Sequence, residues 1–193
     1  MAKKKYEFRP DRTPNDVLGK LLLTKKQRQS VLRWTLYSLV CLAALLFQDV
    51  VMSRFSLFGA TTDLVPACIL AICILQGSES SCIFALVASM IYQFSGSAPG
   101  AFCIPLITTF SVLAAIFRQG FLRKGFSALM LCAAMGLLLY ELCIFGIVLF
   151  LGYTTFPRIG SFFITTIITL ACLPVLYPIF RSIGRIGGET WKE

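Results

Sequence analysis

Between Val31 and Phe180 the chain is a succession of six apolar runs separated by short polar breaks, and this pattern constrains the fold more than any single motif. A run of about 20 apolar residues with few or no charges is the mark of a helix that crosses a bilayer. The shortest breaks leave room only for hairpins, because connections of about 2 to 8 residues join neighbouring helices. The clearest break is Ser95-Gly96-Ser97-Ala98-Pro99-Gly100, between a run ending at Phe94 and another beginning at Ala101. The fold class read from the pattern is an all-α polytopic membrane protein with six transmembrane helices, the other runs packing around that pair.

Composition excludes an ordinary soluble domain. Only 14% of residues are charged and 57% are apolar, whereas soluble domains carry about 25% charged residues. The spans are expected at Val31 to Phe47, Asp63 to Gln76, Ser81 to Phe94, Ala101 to Phe117, Phe126 to Gly152 and Ser161 to Phe180. The second is short, with Pro66 in its first turn, where proline is tolerated. Pro174 and Pro178 predict a kink late in the sixth. Three regions follow: a basic segment over 1–30, the six-helix domain over 31–180 and a tail over 181–193.

Within the basic segment, Thr13-Pro14-Asn15-Asp16 has the form of a capping box with proline at the first helical position. Val17, Leu18, Leu21 and Leu22 then share one side of an expected short helix at the membrane interface, a plain linker being the alternative. The first apolar run follows a long basic lead with no small-residue cleavage site behind it, so it is read as a retained span and not as a signal peptide. Phe55, Leu57 and Phe58 suggest that the connection after the first span lies along the membrane surface.

The net charge of +9 is concentrated, with ten of the eighteen Lys and Arg residues in the first 33 positions. No nucleic-acid motif accompanies them, so the expected partner is an anionic lipid surface and not nucleic acid. Six spans would place sixteen of the basic residues on the side of the termini and only Arg54 and Arg158 opposite. That split predicts cytoplasmic termini. The eight cysteines stand singly without Cys-x-x-Cys and read as small buried hydrophobes. With no histidine, neither a zinc site nor a Ser-His-Asp or Cys-His set is expected, and no glycine loop suited to phosphate occurs. The expectation is therefore a protein without enzymatic activity, cofactor or metal.

Charge inside a membrane is costly enough to count as a functional hypothesis. Glu141 lies near the middle of the fifth span, projecting with Met130, Ala134 and Leu137. Ala128, Cys132, Gly136 and Gly146 form a separate small-residue face suited to close helix approach. Two readings of Glu141 stay open: contact with a partner helix or a transport step, and a link among this chain's own helices. Ser81, Ala85, Ala88, Ser89 and Tyr92 share a face of the third span; Ala101, Pro105, Thr108 and Ala115 share one of the fourth. These faces are expected to meet. Thr165, Thr166 and Thr169 are expected to bond to their own helix backbone.

The order of features resembles the MreD family of bacterial rod shape-determining membrane proteins. The residues that carry the resemblance are the basic lead, the first span ending in Phe47-Gln48, the Gly59 to Asp63 turn into a short second span, and the third span ending in Phe94-Ser95-Gly96-Ser97-Ala98-Pro99-Gly100. Its most specific piece is the Ser-Gly-x-x-x-Gly formed by Ser95, Gly96 and Gly100. Two departures stand out. Thr62-Asp63 replaces the usual Pro-Asp or Pro-Asn, the proline being displaced to Pro66. Tyr92, followed by Gln93, occupies the place where the family commonly has an Asp; Tyr92 or Gln93 replaces only its hydrogen bonding.

The resemblance implies a non-enzymatic scaffold in the bacterial inner membrane, acting in lateral peptidoglycan synthesis. It also implies partners: an MreC-like bitopic protein, with the filament protein MreB, the glycosyltransferase RodA and a class B penicillin-binding protein in the wider complex. The family's fold is similar to the S component of energy-coupling-factor transporters, so an S component that binds a vitamin-like molecule is the alternative. Candidate partner or packing residues are Glu141, Asp63, Tyr92, Gln93, Ser95, Gly96, Gly100 and Gly136.

Overall fold

The computed structural model describes residues 25–54, 62–121 and 125–186. The expected interfacial helix after Thr13 and the segment of Phe55, Leu57 and Phe58 lie outside these residues. The apolar runs fold as six helices: α1 (Lys25–Val50), α2 (Leu64–Gln76), α3 (Ser78–Phe94), α4 (Cys103–Phe121), α5 (Phe126–Phe150) and α6 (Ile159–Gly184). Short 3-10 turns follow α1 at Met52–Arg54 and precede α6 at Phe156–Arg158. No strand occurs among the described residues.

Helix ends differ from expectation where polar residues continue an apolar run. The first helix begins at Lys25 and the last reaches Gly184, beyond the expected 31–180 domain at both ends. The expected turn from Gly77 to Ser80 contracts to Gly77 alone, whose φ of 98° reverses the chain and suits glycine. Pro174 and Pro178 lie inside a continuous α6. Each removes the bond to the carbonyl four residues earlier, that of Leu170 or Pro174, a loss that membrane helices tolerate where nearby groups take up the freed carbonyl.

The architecture is built around α2. Every residue from Leu64 to Leu75 is buried, and α2 packs against all five other helices. Its 13 residues span about 20 Å at 1.5 Å per residue, well under the roughly 30 Å hydrocarbon core. A helix enclosed by protein has no thickness to match, which removes the usual length requirement. The segments Gln27–Val50, Cys103–Phe121, Phe126–Phe150 and Phe156–Gly184 are long and apolar enough to cross a membrane. Leu64–Gln76 and Ser80–Phe94 are shorter apolar helices, so four segments, not six, meet that standard.

The outside of the bundle is apolar. Leu39, Leu46, Ile83, Leu113, Met135, Ile167 and Val175 are all exposed, a belt that water would penalise and lipid tails accept. This is the surface of a membrane protein.

Close approach decides the packing of α5 on α2. A Cβ added at Gly136 would lie 2.6 Å from Leu70 Cδ2 and 3.7 Å from Ala114 Cβ, so glycine lets the helices meet here. Gly136→Ala forces Leu70 to shift and is expected to cost about 1 kcal/mol, measured as a lower Tm in detergent. Gly146, expected on the same face, is exposed with nothing within 4 Å of an added Cβ. It lies roughly 120° around the helix from buried Tyr140 at 100° per residue, outside the contact face.

The third helix buries the expected Ser81, Ala85, Ala88, Ser89 and Tyr92 and packs on α4. The buried face of α4 agrees with the expected one only at Ala115. Cys103, Ile107, Ser111, Ala114, Ala115 and Arg118 are buried, whereas Ala101 and Pro105 are exposed. Small residues mark possible contact but do not compel it, since lipid also accepts them.

Polar side chains fix the Gly77 end of the bundle. Gln76 Nε2 donates to Tyr37 Oη at 2.7 Å, and that hydroxyl donates to the Phe180 carbonyl at 3.3 Å. Together they tie α1, α2 and α6. Arg118, only 6% exposed, reaches from α4 to donate to the Ile74 carbonyl in the last turn of α2.

Candidate functional site

The opposite end of α2 gathers the richest set of buried polar groups. A helix N-terminus leaves its first N–H groups without intrahelical acceptors, and the Asp63 side chain does not cap them. Neighbouring helices supply the acceptors. Thr169 Oγ1 on α6 accepts the Asp63 N–H at 3.1 Å, and Gln48 Oε1 on α1 accepts the Val65 N–H at 2.9 Å. Thr166 does bond back to its own helix, donating to the Phe162 carbonyl at 3.1 Å. Thr169 has in addition a role outside its own helix, as the acceptor for this donor at the start of α2.

Gln48 also connects α2 to α3. Its side chain lies within hydrogen-bonding reach of the Tyr92 hydroxyl, which donates to the Ser97 carbonyl at 3.4 Å. Ser95 Oγ donates to the Tyr92 carbonyl at 2.8 Å, and Ser97 Oγ donates to Asp49 at the end of α1. The Ser95 to Gly100 corner is therefore pinned to α1 and α3 by side chains. Gly96 takes φ 80°, a left-handed conformation that an L side chain enters at a cost of about 1–2 kcal/mol. Gly100 packs against the Phe102 ring, which an added Cβ would meet at 2.5 Å.

Ser97→Ala removes the tie to Asp49. Amide exchange across Gly96 to Ala98 is expected to rise about tenfold, equivalent to roughly 1.4 kcal/mol lost from local closure. Unchanged exchange would show that the corner is held without Asp49.

Glu141 sits on the other side of the same polar layer. It is 5% exposed, and its electrostatic neighbour is Asp63, another acid. The adjacent Tyr140 is fully buried, and its hydroxyl lies against the Cys103 thiol without a hydrogen bond of normal geometry among the described residues. Among the described residues no three His, Cys, Asp or Glu side chains converge to hold a metal ion.

No family model, curated protein or solved structure matches this chain. The site is therefore read from its own chemistry.

Of the candidates from the sequence, the structure brings Asp63, Tyr92 and Glu141 into one electrostatically connected layer. Ser95 joins it through Tyr92, and Gly96 and Gly100 shape the corner above. Gln93 stands beside the layer with its buried Oε1 unpartnered among the described residues. Gly136 serves the separate contact with Leu70. Gln48, Asp49, Tyr140 and Thr169 were not singled out as site residues from the sequence. A polar residue ending an apolar run was the available signal for Gln48 and Asp49. The Thr169 contact depends on a residue 106 positions away and leaves no local trace.

Proposed function

We propose that this chain is an MreD-type scaffold of the bacterial cell-wall elongation complex, without catalytic activity of its own. It lies in the inner membrane with six spans and cytoplasmic termini, and binds an MreC-like bitopic protein. MreB, RodA and a class B penicillin-binding protein belong to the wider assembly. The observation that carries the reading is the Ser95 to Gly100 corner. Its Ser-Gly-x-x-x-Gly residues are anchored to α1 through Ser97 and Asp49, and Tyr92 contributes hydrogen bonds where the family commonly has an acid.

The enclosed α2 supports six spans, since the surrounding helices and not lipid set its environment. The sixteen-to-two division of basic residues supports the orientation. The hydrogen bonds around Asp63, Gln48 and Tyr92 run between helices and backbone, which favours a packing role over capture of a small solute.

Depletion of the chain in its host is expected to turn rods into spheres, scored by microscopy; rods of unchanged shape would overturn the reading. A thermal-shift screen with vitamins is expected to leave Tm unmoved. A specific ligand at about 100 times its Kd would add about 2.7 kcal/mol, so a rise of several degrees would favour the S-component alternative.

A further inference from the structure

Glu141 borders a shallow groove between α5 and α6, walled by Leu138, Leu142, Phe145, Phe162 and Phe163. It forms no hydrogen bond or salt bridge with any described residue, and its electrostatic neighbour, Asp63, offers no positive charge. A buried carboxyl requires a hydrogen-bond partner in either protonation state. At mid-depth in the bilayer water does not reach the groove, and lipid tails carry no donor. Thr166, also on the groove, already spends its proton on the Phe162 carbonyl. The groove thus presents a carboxyl that none of the described residues satisfies.

That deficit selects the occupant. A two-fold-related copy would set the same carboxyl against its own image, a pairing open only while at least one of the two is protonated, and an acyl chain would leave Glu141 unpaired. We infer that the α5–α6 groove receives a single transmembrane helix of another protein, which presents a hydrogen-bond donor side chain to Glu141 at mid-depth. Leu138, Leu142 and Phe163, all exposed, supply the apolar flanks for such a helix. The inference rests on the scaffold reading above and assigns the face that the bitopic partner uses.

The test places a photo-crosslinking residue at position 142, with a control at exposed Val87 in the separate groove between α1 and α3, in full-length chain in native membranes. The expected result is a crosslink from 142 to the membrane-spanning segment of the bitopic partner, mapped by mass spectrometry next to a polar residue. Glu141→Leu should lower its yield about three- to tenfold, the usual range for one interhelical hydrogen bond. Glu141→Gln, which keeps both donor and acceptor, should hold it within about twofold. Leu138→Trp, which fills the groove while leaving the Glu141 side chain in place, should also abolish it. Melting temperatures of all variants within a few degrees of the parent confirm folding.

A crosslink unaffected by Glu141→Leu, one to a second copy of this chain, or one to lipid alone overturns the inference. The bitopic partner captured at 87 but not at 142 upholds the scaffold and overturns the groove. A Glu141-dependent crosslink to a helix from outside the elongation machinery upholds the groove and overturns the scaffold.

Discussion

Gln48→Met is expected to lower the Tm of the purified protein by about 6–12 °C. The substitution keeps the length and apolar volume of the side chain and removes only its polar groups. Gln48 is 7% exposed, and its Oε1 is the acceptor for the Val65 N–H in the first turn of α2. Losing it leaves a backbone donor unpaired where water is absent, a cost of about 1–3 kcal/mol. The amide also lies beside Tyr92, whose remaining bond to the Ser97 carbonyl is long at 3.4 Å. The combined loss is set at about 3 kcal/mol, and in a chain of this size each kcal/mol moves Tm by about 2–4 °C. A shift under about 2 °C would show that the N-terminus of α2 is satisfied by other groups.

Arg118→Met is expected to have a similar effect from the other end of the same helix. The last carbonyls of α2 face protein, not water, so they too depend on neighbours. The Cys73 carbonyl accepts from the Gly77 N–H at 3.1 Å and from Ser81 Oγ at 3.0 Å. The Ile74 carbonyl accepts from Arg118. A hydrogen bond from a charged donor is worth about 1.5–3 kcal/mol, and a cation at a helix C-terminus adds about 0.3–1 kcal/mol. The expected loss is therefore about 2–4 kcal/mol, read as a fall in Tm, with Arg118→Lys recovering part of it by keeping the charge. Equal Tm for Met and Arg at this position would remove the guanidinium from the account of how α2 ends.

The sequence makes the helices legible, and with them the hairpins at Gly77 and Ser95 to Gly100, because polar residues interrupt apolar runs where water begins. It also makes the buried face of α3 legible, since Ser81, Ala85, Ser89 and Tyr92 are small or polar among large apolar residues. The central place of α2 is not legible. A helix apolar all round has the same pattern whether lipid or protein surrounds it. The same loss of contrast explains α4, where Pro105 faces outward and Cys103 and Ile107 inward. Gln48, Thr169 and Arg118 act on a different helix from their own, so no local spacing marks them. Glu141 was conspicuous for its charge, but the sequence left its surroundings open. The structure leaves its carboxyl without a hydrogen-bond partner among the described residues, at the edge of the α5–α6 groove.

The most direct measurement is mild extraction of the tagged full-length chain from its native membrane, followed by identification and stoichiometry of what remains bound. The account predicts an MreC-like bitopic protein as the major stoichiometric partner, with elongation-complex proteins at lower yield. Recovery of an ATPase transport module in its place would contradict it.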